Sequence, residues 1–328
     1  MQNSAFKNDS ITAVPGISVG NFTDPAAPTG CTVVLCDEPA IAAVDVRGGA
    51  PATRETDLLR GGSLVERIHA ILLSGGSAYG LDAATGVMRW LEERGRGFPV
   101  SGGVVPIVPA ACIFDFTTTG GKVRPGAEEG YAACEDASEA PLSGGSLGAG
   151  AGATVGKMAG PERCLRGGLG SAVEVAASGI RIGALAVVNC AGEVVDPESG
   201  DIVAGSRGDT PGTFDPAFEI VRKGLPGTPF QSGNSTLAVV ATDASLTRDQ
   251  AYRVAVIAQT GLARTIRPVH TPVDGDIVFA LATGRNEEAA EVLQLGALAA
   301  RAVERAILCG VRKATSFGAI PSVRDWSG

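Results

Sequence analysis

The chain is short of histidine, aromatics and positive charge, and each shortage narrows what it can do. Its 328 residues include only two histidines, His69 and His270, and seven cysteines with no CxxC pair, so no Cys/His zinc site is expected. The cysteines, at 31, 36, 112, 134, 164, 190 and 309, are odd in number and scattered. That pattern suits reduced, buried thiols better than a disulfide framework. Net charge is −8, with no basic footprint for nucleic acid. No basic amphipathic stretch points to a membrane surface. Apolar runs such as IHAILL fall far short of the ~20 residues that cross a bilayer. The opening MQNSAFKNDSITAVPG lacks the basic start and apolar stretch of a signal peptide. The expectation is a cytoplasmic protein without metal, cofactor, nucleic-acid partner or membrane partner.

What is present suits a large core of small side chains. Hydrophobic residues make up 45%, charged residues 19% and aromatics 5%, and there are 46 glycines. The length allows one large or two ordinary domains. Val33–Leu35 and Ala40–Val46 read as strands of an antiparallel hairpin around Asp37-Glu38-Pro39. Ile68–Leu73 reads as a strand leading through a Gly-rich turn into a helix, with Ser77 as N-cap and Gly95 as stop. Residues 199–234, polar and rich in Gly and Pro, read as a loop or linker. Thr247-x-x-Gln250 is a capping-box pattern, predicting a helix to about Ala263. Two strands are expected around Asp274-Gly275, then a helix from about Glu287 to Leu308 stopped at Gly310. Strands with interspersed helices, without strict βαβ alternation, favour layered α/β with mixed sheets.

Familiar motifs fail on inspection. The Gly/Ala loop 144–157 lacks the first glycine and the final Ser or Thr of a phosphate-binding P-loop, and it lacks GxGxxG spacing. Gly144-Gly145-Ser146-Leu147-Gly148 matches GxSxG, but no strand precedes it and no helix follows it. His69 lies inside an apolar strand and reads as a core histidine. Asp274 and Asp276 flank a glycine, which is also ordinary turn chemistry.

One stretch stands apart. In GNSTLAVVATDA, residues 233–244, a turn and two hydroxyls abut an apolar strand. It reads either as a loop entering a strand or as a place where the chain cuts itself. With so little histidine, a hydroxyl nucleophile needs another base. A free α-amine on the nucleophile itself, of pKa about 7.7–8.0, can serve. That requires removal of everything before the nucleophile.

Several stretches together, GNSTLAVVATDASLTRDQAYRVA, GLARTIRPVHTPVDGDIVFALATG, GGSAYGLDAATGVMRWLEERG, VPAACIFDF and PTGCTVVL…AAVDVRGGAP, resemble the self-cleaving L-aminopeptidase/D-esterase family. That family, peptidase family S58, includes β-peptidyl aminopeptidases and 6-aminohexanoate-oligomer hydrolases. The resemblance spans about residues 14–312. It implies one domain, 1–328, with a four-layer α/β/β/α fold resembling N-terminal-nucleophile hydrolases but differently connected. It also implies cleavage between Asn234 and Ser235 into 1–234 and 235–328, assembled as a homo-oligomer of αβ heterodimers. Its site positions fall on Ser235 as nucleophile, Lys157, Asn189 as oxyanion donor, and the acids Asp274 and Asp276. Phe114 stands where some members carry a site tyrosine. The Asp-Gly-Asp pattern is nearer the aminohexanoate-hydrolase branch, which usually uses threonine, so Thr236 competes with Ser235. The implied activity is hydrolysis of small peptides, amides or esters through an acyl-enzyme. The rivals are an acyltransferase like the ornithine acetyltransferases and an unprocessed binding protein.

Overall fold

A computed structural model describes residues 8–226 and 233–327. Nine strands form one mixed sheet: β1 (Ile17–Thr23), β2 (Gly30–Val46), β3 (Ala52–Arg54), β4 (Arg67–Ser74), β5 (Ala110–Cys112), β6 (Gly168–Val175), β7 (Arg181–Asn189), β8 (Ser235–Ala244) and β9 (Ile277–Asn286). Their spatial order is β6-β7-β8-β9-β2-β4-β5-β3, with β1 also paired to β2. The pairs β8–β9 and β4–β5 are parallel and the others antiparallel. Four helices cover the sheet: α1 (Ala83–Glu92), α2 (Ala127–Glu135), α3 (Arg248–Thr265) and α4 (Val292–Lys313).

The layers follow from alternation along β2, whose side chains face opposite ways in turn. Cys31, Val33 and Leu35 pack with Ala83, Val87 and Leu91 of α1 and Ala133 of α2. Ile41 and Ala43, of the same parity, pack with α3 and α4 through residues such as Ala255, Leu262, Ala299 and Val303. The other parity, Val34, Ala42 and Val44, joins Ile71, Leu185, Leu237, Val239 and Phe279 in a third core between the two halves of the sheet. Three cores separate four layers, helices–strands–strands–helices, as expected.

The hairpin expected at Asp37-Glu38-Pro39 does not form. β2 runs through it as one strand of 17 residues. The pairing with β4 shifts register between Leu35 and Ala40, so the acidic pair and the proline occupy a bulge. Proline is tolerated there because a bulge asks for no ladder N–H. The strands flanking Asp274-Gly275 do not pair with each other either: Ile266–Arg267 pairs with Glu193–Val195, while β9 joins the main sheet. Ser77 is not an N-cap; it has φ 55 and opens a 3-10 turn ahead of α1. The supposed linker carries short strands and a helix, Ala217–Lys223, up to residue 226, while 227–232 lie outside the described residues.

The capping box holds: Thr247 Oγ1 accepts from Gln250 N at 3.2 Å and Gln250 Oε1 from Thr247 N at 2.9 Å. α4 begins five residues later than expected and runs past Gly310. That glycine lies against β6, where a Cβ built on Gly170 would stand 2.3 Å from Gly310 N and 2.0 Å from Ala306 O. Glycine on both elements lets helix and strand touch backbone to backbone, so here it serves packing rather than termination.

Candidate active site

Three strand ends build the site. Antiparallel pairing sets Asn189, the last residue of β7, beside Ser235, the first of β8. Parallel pairing of Leu237 with Ile277 carries back along both strands, bringing the Asp274-Gly275-Asp276 turn alongside Asn234, Ser235 and Thr236. An isolated parallel bridge joins Asn234 to Asp274. Residues 40 apart in sequence thereby become neighbours.

Ser235 and Thr236 face opposite ways. Leu237, Val239 and Ala241, of Ser235's parity, belong to the core between the strand layers. Ala238 and Val240, of Thr236's parity, pack under α3 and α4. Ser235 Oγ donates to the Asn234 carbonyl, the peptide group just ahead of it. The same carbonyl accepts from Gly275 N at 2.8 Å. Thr236 Oγ1 is buried with no hydrogen-bond partner among the described residues.

Around this pair the other expected residues converge, Lys157, Asn189, Asp274 and Asp276 buried and Phe114 half-buried. Lys157 Nζ donates to Asn189 Oδ1 at 3.0 Å and to the Asn189 carbonyl at 3.2 Å. Asn189 Oδ1 also accepts from Thr154 N at 2.9 Å, while its Nδ2 donates to the Phe114 carbonyl at 3.0 Å. One N–H of the Asn189 amide is thus engaged with Phe114, and the donor seen on the Asn234 carbonyl is Gly275 N. Phe114 packs against Phe116 with ring centroids 4.7 Å apart and planes inclined at 43°. A Cβ on Gly233 would stand 2.5 Å from the Phe114 ring, so the chain ahead of Asn234 lies against that aromatic.

The acids are held at both oxygens. Asp274 Oδ1 accepts from Ala191 N at 3.2 Å, and Oδ2 accepts from Thr271 Oγ1. Asp276 Oδ1 accepts from Thr236 N at 2.8 Å, and Oδ2 from His270 N at 2.8 Å. His270 Nδ1 lies 3.2 Å from the same Oδ2. Burial, and then the charge of Asp276, push the Asp274 carboxyl above its ordinary pKa, against the Thr271, Ala191 and Lys157 contributions. Burial lowers the Lys157 ammonium to about 8, against the pull of Cys190, Cys164 and Asp274. Desolvation disfavours the charged form of both groups.

Gly275, Thr271, Thr154 and His270 belong to this constellation and carry no sequence signal of their own. Gly275 and Thr154 contribute backbone N–H groups, which every non-proline residue has. His69 stays in the core, its Nδ1 accepting from Ile107 N at 3.1 Å. Ser146, of the GxSxG match, exchanges hydrogen bonds with Thr315 far along the chain. Among the described residues no cluster of three or more His, Cys, Asp or Glu side chains could hold a metal ion, and no helix is long and apolar enough to cross a membrane.

Solved structures share this architecture. A β-aminopeptidase of Burkholderia sp. superposes with a TM-score of 0.67 at 23% identity, covering 94% of this chain and 88% of that one. The L-aminopeptidase D-Ala-esterase/amidase of Ochrobactrum anthropi, described as a new variant of the Ntn-hydrolase fold, gives 0.69 at 21% identity, covering 95% and 88%. In sequence, an uncharacterized aminopeptidase of Mycobacterium tuberculosis is 45% identical over 346 aligned positions, covering 97% of both chains. A 6-aminohexanoate-oligomer endohydrolase of Kocuria sp. (strain KY2) is 34% identical, covering 82% of this chain and 73% of its own. The model of peptidase family S58 matches residues 9–322, and with relatives this similar along nearly its whole length the chain belongs to that family.

Proposed function

We propose that this peptidase is a self-processing serine amide hydrolase whose nucleophile is Ser235. One observation carries the reading: the Asn234 carbonyl is held by a fixed backbone donor, Gly275 N, and is also in contact with Ser235 Oγ. A carbonyl polarised by a fixed donor, with the next residue's hydroxyl within hydrogen-bond reach of its oxygen, supports intramolecular attack. Oγ bonds to the Asn234 carbonyl carbon, the oxygen takes the negative charge under Gly275 N–H, and the Asn234–Ser235 C–N bond breaks. The nitrogen gains the hydroxyl proton, leaving an ester and a free Ser235 amine. Water then opens the ester, releasing the Asn234 carboxyl and restoring the hydroxyl.

The same geometry serves an incoming substrate. Its acyl group takes the place of Asn234, with its carbonyl oxygen toward Gly275 N, and Ser235 forms an acyl-enzyme. The Ser235 amine, near neutral pKa, moves the proton from Oγ to the leaving amine. Asp276 fixes the Thr236 amide behind the nucleophile. Lys157 holds Asn189, and through it the Phe114 carbonyl. Asp274 stands beside Ala191 and Thr271, close enough to Lys157 to stabilise its charge. Phe114, uncovered once Gly233 and Asn234 leave, gives an apolar wall for the acyl side. The substrates are small peptides, amides or esters, in keeping with an aminopeptidase and an amide-oligomer hydrolase among the relatives. The fragments 1–234 and 235–328 stay together and assemble as a homo-oligomer.

Intact mass spectrometry of the purified chain beside Ser235→Ala tests this. The expected result is two fragments meeting at Asn234/Ser235 in the wild type and only full-length chain in the variant. An uncut wild-type chain refutes processing, and a cut between Ser235 and Thr236 moves the nucleophile to Thr236.

A further inference from the structure

The segment just before the Asp-Gly-Asp turn is unusual in its backbone. His270 has φ 56, in the left-handed region, which only a few per cent of non-glycine residues occupy and histidine enters more readily than most. In that conformation its own N–H and its ring both meet one oxygen, Asp276 Oδ2, at 2.8 and 3.2 Å. The other oxygen of Asp276 accepts from Thr236 N at 2.8 Å. Asp276 is wholly buried, whereas the His270 side chain keeps 19% of its surface exposed. The contacts therefore form a short line from solvent inward: imidazole, carboxylate, Thr236 amide, and the Ser235–Thr236 peptide that carries the nucleophile.

We infer that His270 is a positioning residue: by fixing Asp276 it fixes the Thr236 amide, and so aims Ser235 Oγ at the Asn234 carbonyl. This rests on the reading of Ser235 as nucleophile. A buried carboxylate held by one backbone N–H at each oxygen keeps some freedom to rock about its Cβ–Cγ bond. A second donor from the ring removes that freedom. The strained backbone at 270 is what brings the second donor to bear, since an extended residue there would send its N–H and its ring in different directions. The role asks only for an Nδ1–H donor, which both the imidazolium and the matching neutral tautomer supply.

Two variants separate this role from a scaffold role. His270→Gly removes the ring but suits the left-handed backbone and retains the N–H to Asp276. His270→Asn tolerates the same backbone and sets an amide N–H about where Nδ1 sits. Full-length chains made by cell-free synthesis are followed by mass spectrometry as the 1–234 and 235–328 fragments accumulate, with Ser235→Ala as the uncut reference. The expected result is cleavage slowed by about tenfold or more in His270→Gly and restored to within about threefold in His270→Asn, at unchanged thermal midpoint. Wild-type speed in His270→Gly overturns the inference. So does a loss that His270→Asn fails to restore, or one that tracks a fall in the midpoint. A wild-type chain that is never cut at Asn234/Ser235 removes the reading underneath instead, a result distinct from all of these.

Discussion

Gly275→Ala is the sharpest probe of the chemistry, because its effect can be worked from distances. A Cβ at 275 would stand 2.6 Å from Ser235 Oγ, 2.9 Å from the Ala50 carbonyl and 3.2 Å from Pro51 Cα, where ordinary contact begins at 3.4 Å. Backbone strain is not the issue, since Gly275 is absent from the positive-φ glycines. The methyl is wedged between the nucleophile on one side and the Ala50–Pro51 backbone on the other. Ser235 Oγ, a side-chain atom, is the freer neighbour, and it must retreat by about 0.8 Å to restore contact distance. Misplacing a reacting atom by about 1 Å can cost ~10²-fold in rate. If the turn shifts instead, Gly275 N leaves the Asn234 carbonyl, and losing one such donor costs ~10²–10³-fold. By either route self-cleavage slows by about a hundredfold, or ~2.7 kcal/mol of barrier. The assay is the time course of fragment appearance by mass, with circular dichroism and thermal midpoint to show that the fold is kept. A folded Gly275→Ala chain that cleaves within about threefold of wild type would refute the reasoning, because both routes pass through that methyl.

Two more expectations follow from the same site. Thr236→Val removes a buried hydroxyl with no partner among the described residues; the variant should cleave at the wild-type rate and gain about 1 kcal/mol in denaturant unfolding, and an uncut chain would make Thr236 the nucleophile. Lys157→Met tests the buried ammonium. Its folded pKa, about 8, lies below the ordinary 10.5, so between those values the unfolded chain binds the proton and the folded chain does not. The lysine's contribution to stability therefore rises with pH across that window, and below pH 8 the folded state carries the full cost of a buried charge. Relative to wild type, Lys157→Met should gain up to ~3 kcal/mol as pH falls from 10.5 to 8 and then level off. A stability difference flat across that range would show that Lys157 is not desolvated.

Much of the layout was legible because local chemistry and tertiary role agree. The capping box at Thr247 marks a helix start and the structure has one there, and Ile68–Leu73 is a short apolar run ended by a Gly-rich turn, which suits a buried strand. Errors came where the same residues serve two geometries. Asp37-Glu38-Pro39 is turn chemistry by composition, yet a bulge accepts it as readily, and only the neighbouring strands decide between them. Gly310 has the look of a helix stop, but the stop is not needed where the helix must touch β6. At the site, Ser235, Lys157, Asn189, Asp274 and Asp276 were named from resemblance, and the fold gathers them at three strand ends. Gly275 reads in the sequence only as a turn residue and His270 only as one of two histidines, for opposite reasons. The first acts through a backbone N–H that has no letter in the sequence. The second acts through a φ angle that the letter H does not announce.

The order β7-β8-β9-β2 has a consequence for the two halves of a cut chain. β8 and β9, the main-sheet strands of the 235–328 piece, lie side by side in the middle of the sheet. Eight residue pairs tie β8 to β7 on one side, and six tie β9 to β2 on the other, and both flanking strands belong to the 1–234 piece. Opening the Asn234–Ser235 bond severs none of these ladders. The pieces are plaited, so neither can leave without unzipping the centre of the other's sheet. On the processing reading, mixing a tagged and an untagged mature protein would yield no hybrids under native conditions, and heat would melt the pair as a single body. The cut would free an amine and a carboxyl at the site and leave the sheet as it was.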